Sequence, residues 1–204
     1  KLRLLGLPPS AVSDDATFLR RVTIDVAGRL PTREEAEEFL GNASPDNRDR
    51  VIERLVTSTD YADCFANKWS AILRNQRSNE TMRRGNYAFH HWIRQAMFEN
   101  MPYDKFVGAI VAATGEVGNH PPVAWYRQVD ELNEQVEDTA QLFLGLRIQC
   151  ARCHHHPLEK WSQDDYYSLA AFFSQVGRKP SSTRGEDLIF HKRGIAVANN
   201  MKTG

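Results

Sequence analysis

The chain has 204 residues, with 26 basic against 26 acidic side chains and a formal net charge of zero. That balance leaves no basic field for nucleic acid, and no stretch approaches the ~20 apolar residues of a membrane span. Three cysteines are too few for a disulfide framework, and the apolar content allows one large domain or two small ones to bury a core unaided.

In chain order the pattern predicts almost only helices. Ser13-Asp14-Asp15 starts the first, with Phe18, Leu19, Val22 and Val26 on one face, and Gly28-Arg29-Leu30-Pro31 ends it. Thr32-Arg33-Glu34-Glu35 has the form of a capping box, in which the Thr oxygen and the Glu side chain satisfy orphan backbone donors of a short second helix. Ser44-Pro45 opens a third, with proline in the first turn and Ile52, Leu55 and Val56 inward. In the fourth, Tyr61, Cys64, Phe65, Lys68, Trp69, Ile72 and Leu73 recur at helical spacing. Cys64 on that stripe reads as a buried thiol or as a third zinc thiolate.

A polar, basic loop is expected over 75–84, then a helix over 86–99 with Tyr87, Ile93 and Phe98, and with His91 on its inner stripe. Pro102-Tyr103-Asp104 opens a short helix through Val111 and Ala112. Gly115, Gly118, Pro121 and Pro122 forbid a continuous helix over 115–126, which reads as a connector, a lid or a cofactor wall. A long helix over 130–149, with Leu132, Val136, Ala140, Phe143, Leu144 and Ile148, is expected to run directly into Cys150. Ser162-Gln163-Asp164-Asp165 caps the last helix, which carries Tyr166, Leu169, Ala170, Phe173 and Val176. Beyond Gly177 the tail is polar, with one short strand at Leu188-Ile189-Phe190. The expected fold is therefore all-α: an irregular multi-helix bundle over 1–178, and a mostly irregular tail over 179–204 leading to a further domain. The first residues form no signal peptide, and the abrupt ends suggest a domain cut from a longer protein.

The run Cys150-Ala151-Arg152-Cys153-His154 has the Cys-x-x-Cys-His form of c-type haem attachment. Two thiols can add to the two vinyl groups, and the adjacent imidazole can bind iron from the proximal face. His91 and His120 are the leading distal candidates, beside His90, His156, Met97 and Met101. Arg152 and Lys160 are placed to pair with propionates, and Trp161 to pack against the ring. His155 and His156 can instead serve a propionate or the turn before Pro157. A zinc site of Cys150, Cys153, His154 and His156 is the metal alternative, and a dithiol or disulfide a further one.

The stretch over 141–167, from Gln141-Leu142-Phe143-Leu144-Gly145 through the cysteine pair and His154-His155-His156-Pro157 to Tyr166-Tyr167, closely resembles the planctomycete cytochrome-like domain. Phe18-Leu19-Arg20-Arg21-Val22-Thr23-Ile24-Asp25, Gly28-Arg29-Leu30-Pro31-Thr32 and Pro102-Tyr103-Asp104-Lys105-Phe106-Val107 resemble the same family, so the likeness spans about 1–178. Leu158 stands where the family often has Phe, and His155 where it often has Asn. The resemblance implies haem c on Cys150, Cys153 and His154, in a periplasmic or cell-surface protein with a neighbouring cytochrome domain or a separate redox partner. The function expected is electron transfer rather than catalysis. Three rivals stand beside it: a five-coordinate haem enzyme acting on peroxide or another small ligand, a structural zinc domain, and a carbohydrate- or partner-binding module using Trp125 and Tyr126.

Overall fold

A computed structural model describes residues 1–76, 83–183 and 185–200, with Arg3 described by its backbone alone. Most of the loop expected over 75–84 lies outside the described residues. The chain divides into two compact units, 1–65 and 66–204.

The first unit follows its capping signals. In α1 (Asp15–Ala27) the Asp14 carboxylate accepts from the Thr17 N–H, and Gly28 closes the helix at φ 71° with its N–H on the Ile24 carbonyl. That left-handed conformation favours glycine. In α2 (Arg33–Leu40) Thr32 and Glu35 complete the capping box. Pro45 stands outside α3 (Asn47–Val56), because Asp46 takes the N-cap. Leu19, Ala27, Phe39, Val51 and Leu55 form the core, whereas Ile52 and Val56, expected inward, are exposed. Leu55 is buried as expected, and Val51 takes the inward place expected of Ile52. The Arg29 guanidinium reaches Glu35 at 2.7 and 2.9 Å and Asp60 at 2.6 Å. Arg29 holds the Glu35 carboxyl down at about 2.

The second unit continues α4 (Thr59–Ile72) and adds α5 (Arg83–Phe98), α6 (Tyr103–Val111), α7 (Leu132–Asp138) and α8 (Gln163–Phe173). It also holds a three-stranded antiparallel sheet, which corrects the all-α expectation. The strands β1 (Gly115–Glu116), β2 (Val176–Pro180) and β3 (Asp187–His191) lie in the order β1-β3-β2. Gly115 pairs with Ile189 on one side of β3, and Arg178 pairs with the same Ile189 on the other. Val176, assigned by spacing to the last helix, opens β2 instead. Only Gly177 and Ile189 of β2 and β3 are buried, so the strands show no apolar alternation to read. The Phe190 ring lies over Gly177, within 3 Å of where a Cβ would stand, as an aromatic side chain covers a strand glycine.

The expected loop over 115–126 forms part of the core. A 3-10 helix (Pro121–Arg127) buries Pro122, Val123, Ala124, Trp125 and Tyr126. They join Phe89, Ile93, Phe106, Ile110 and Ile189 in the larger apolar cluster, and the Tyr126 hydroxyl donates to the Val111 carbonyl at 2.5 Å.

The helix expected over 130–149 is likewise broken. After α7 the chain makes a π-helical turn (Thr139–Phe143). It stops there because Gly145 turns left-handed at φ 68°, while the N–H groups of Leu144 and Leu146 both close on the Ala140 carbonyl. Among the described residues no helix is long and apolar enough to cross a membrane.

Candidate functional site: the Cys150–His154 turn

Cys150 lies in a 3-10 helix (Gln149–Arg152), and Cys153 caps it. A 3-10 helix repeats every three residues, so side chains at i and i+3 eclipse. The spacing of two intervening residues therefore sets both thiols on one edge of the turn. Both are free and exposed. Ala151 between them is fully buried with Val136, Ala140, Ile148, Tyr166, Ala170 and Phe173. Burial of that methyl group fixes the inner face and leaves the sulfurs outward.

Helix α8 clamps the turn from behind. The Arg152 carbonyl accepts from Gln163 Nε2 at 3.1 Å and from the Tyr167 hydroxyl at 3.3 Å. The Arg152 guanidinium reaches Glu137 at 3.5 Å, and the Tyr166 hydroxyl donates to the same Glu137 oxygen at 3.1 Å. The Cys153 side chain and Glu137 together raise Arg152 above its ordinary value. Burial, then Glu137, pushes the Tyr166 phenol up. Gln163 and Glu137 are the residues that sequence reading left out of the site, and Tyr167, read there as a packing aromatic, bonds the turn through its hydroxyl. Gln163 lies within the Ser162–Asp165 cap signal and Tyr167 just after it, and only the packing of α8 shows what they hold.

The histidines have different states. His154 Nδ1 lies 2.7 Å from the His155 carbonyl. A carbonyl only accepts, so Nδ1 carries the proton, and in the neutral ring Nε2 keeps its lone pair. His156 is the reverse: its Nδ1 accepts the N–H groups of Leu158 and Glu159 at 3.3 and 3.0 Å, which leaves the proton on Nε2 when the ring is neutral. Its own backbone N–H donates to the Trp161 carbonyl at 2.8 Å. His156 organises the turn that follows. Among the described residues no group of three or more His, Cys, Asp and Glu side chains is placed to hold a metal ion. The zinc set Cys150, Cys153, His154 and His156 is therefore not assembled.

The other expected residues scatter. His91 is exposed, because the inner face of α5 consists of Gly85, Phe89, Ile93 and Ala96. Tyr87 and Phe98 are exposed as well. His120 is exposed before the 3-10 helix, its ring against Gly115. His90 Nε2 lies 3.0 Å from Asn67 Oδ1. Met97 and Met101 pack on the larger core. Lys160 lies over the Trp161 ring at 5.3 Å, and Trp161 Nε1 donates to Glu159 at 2.7 Å. Trp125 and Tyr126 are buried, which removes them as an exposed binding pair. Cys64 is half-buried, with its sulfur against Gly28.

Fold and turn together define a helical domain with a small antiparallel sheet that presents a thiol pair and an imidazole at its surface. The chain belongs to PSCyt2, a planctomycete-associated protein family of unknown function (DUF1549), whose model matches residues 1–178. No curated protein and no solved structure matches it.

Proposed function

We propose that this chain is a c-type haem domain that moves electrons within a larger envelope protein. One observation supports the reading above others: Cys150 and Cys153 stand outward on one edge of a 3-10 turn, next to an imidazole whose Nδ1 faces a carbonyl, which leaves Nε2 as the ligating nitrogen of the neutral ring. Two thiols on one edge and a free ring nitrogen are the donors that covalent haem needs. A bound haem supplies reversible one-electron transfer at its iron.

The chain's own residues have defined parts in this reading. Cys150 and Cys153 supply the two sulfurs. The His155 carbonyl holds the His154 tautomer and ring orientation, as outer partners of ligating histidines do. Gln163 and Tyr167 keep the turn in register through the Arg152 carbonyl. Arg152 is held by Glu137, and Lys160 offers a second positive charge nearby in sequence. Thioether formation needs reduced thiols and an export-side attachment machinery, so the reading places the protein in the periplasm or at the cell surface.

The test is the visible spectrum of protein made with that machinery, followed by denaturation and acid–acetone extraction. A Soret band that stays with the polypeptide is expected, with Cys150→Ala and Cys153→Ala each shifting the reduced α band. A colourless product, or pigment lost to the acetone phase, overturns the proposal.

A further inference from the structure

Independently of the thiol turn, a pocket of about 350 Å³, lined by polar residue types, opens between the C-terminal half of α4 and the first turns of α5. Its walls hold the amides of Asn67, Asn75 and Asn86, and the Ser70 hydroxyl. Its rim holds Tyr87, whose ring is 64% exposed, and Arg83, whose guanidinium lies 5.8 Å from the centre of that ring. His90 completes the lining through its contact with Asn67. Among the described residues no carboxylate lines the pocket, so the side chains seen there are not the usual hard-cation donors. Among the described lining residues Arg83 is the one permanent cation, and it is engaged with Tyr87.

The polar groups here are incompletely satisfied. Asn75 Nδ2 donates to the Asn86 carbonyl at 3.0 Å. Asn86 Nδ2 and Ser70 Oγ, however, are sealed from solvent with no hydrogen-bond partner. Orphaned buried donors are uncommon and costly. Both residues line the pocket, where a ligand can offer the missing bonds.

We infer that this pocket binds a neutral saccharide, one pyranose ring lying on Tyr87 with its hydroxyls among the asparagine amides. An amide offers both donor and acceptor, and so does a hydroxyl, so a wall of amides matches a polyol better than it matches an anion, which only accepts. The exposed phenol ring supplies the flat apolar platform that a pyranose C–H face needs. The volume falls at the small end of ligand pockets, as one or two sugar rings require.

The test is saturation-transfer NMR on the full chain with cellobiose, maltose, mannobiose and N,N′-diacetylchitobiose, and with glucuronate and sulfate as anionic probes. At least one neutral disaccharide is expected to bind, with Tyr87→Ala weakening it by at least about tenfold through the lost stacking. Tyr87→Phe keeps the ring and is expected to stay within about threefold. Asn86→Leu removes the amide and weakens binding, while Cys150→Ala leaves it unchanged. Tyr87 is exposed, so its variants test the surface rather than the fold, and an unchanged melting temperature checks this. No binding of any neutral disaccharide, binding of the anions alone, or binding indifferent to both Tyr87→Ala and Asn86→Leu overturns the inference. None of these readouts depends on haem.

Discussion

The two donors on the Arg152 carbonyl make a quantitative test of how the thiol turn is held. Gln163→Leu removes one part-buried hydrogen bond and leaves the carbonyl with Tyr167. Tyr167→Phe removes the other and leaves it with Gln163. Each single change forfeits the net value of one bond, about 0.5–1.5 kcal/mol. The double variant strips the carbonyl of both donors and adds a desolvation penalty of about 1–2 kcal/mol, at the lower end because the site is part-buried. The double variant is thus expected to cost about 1 kcal/mol more than the sum of the singles. Urea unfolding of the four proteins measures that coupling. Loss of the clamp also loosens Cys150 and Cys153, so alkylation of the pair by iodoacetamide at fixed pH changes most in the double variant. Strict additivity together with unchanged alkylation would refute the clamp, because it would mean that water satisfies the carbonyl as well as α8 does.

Four further outcomes are expected. Glu35 is held at about 2 against an ordinary 4.5, so its contribution is complete above about 4.5 and fades as pH falls through 2. Glu35→Gln should therefore destabilise the chain at neutral pH by about 1 kcal/mol, screened because Arg29 is half-exposed, with the difference from wild type closing towards pH 2 in pH-resolved unfolding curves. Gly28→Ala meets both a left-handed φ of 71° and the Cys64 sulfur 2.8 Å from the new Cβ; a loss of about 1–3 kcal/mol is expected, partly restored by adding Cys64→Ala, and a melting temperature that does not move defeats it. His156→Ala removes the acceptor for Leu158 and Glu159 and should broaden their amide resonances and change Trp161 fluorescence, whereas His155→Ala should do neither. Both terminal nitrogens of Arg127 are buried without a partner, and burial lowers its basicity, so Arg127→Met should hold or raise the melting temperature; a fall of more than a few degrees would mean that the charge has a stabilising role.

At three helix starts the amino-acid order was enough, though not at α3, where Asp46 rather than Ser44 takes the N-cap. Asp14 and Gly28 bound α1, and the boxes Thr32–Glu35 and Ser162–Asp165 start α2 and α8, because each cap is an interaction between residues three or four apart. The single short strand read at Leu188-Ile189-Phe190 lies within β3. The Cys-x-x-Cys-His spacing was legible as a paired-thiol signature for the same reason: three residues span one 3-10 turn.

What depends on distant partners was not legible. The sheet exists because β3 bridges Gly115 and Arg178, far apart in sequence. The Gly/Pro segment is core rather than loop because α5 and α6 cover Trp125 and Tyr126, and the sequence holds no record of that cover. His91 and Ile93 are two residues apart on α5, and the packing of the unit decides that Ile93 faces in and His91 faces out. Local order thus determined the starts of α1, α2 and α8 and the thiol spacing, through contacts that one or two turns of chain can make. Tertiary packing alone decided which side of the thiol turn is buried and which histidine tautomers are held. Those depend on where α8 and the following loop place their donors and acceptors in space.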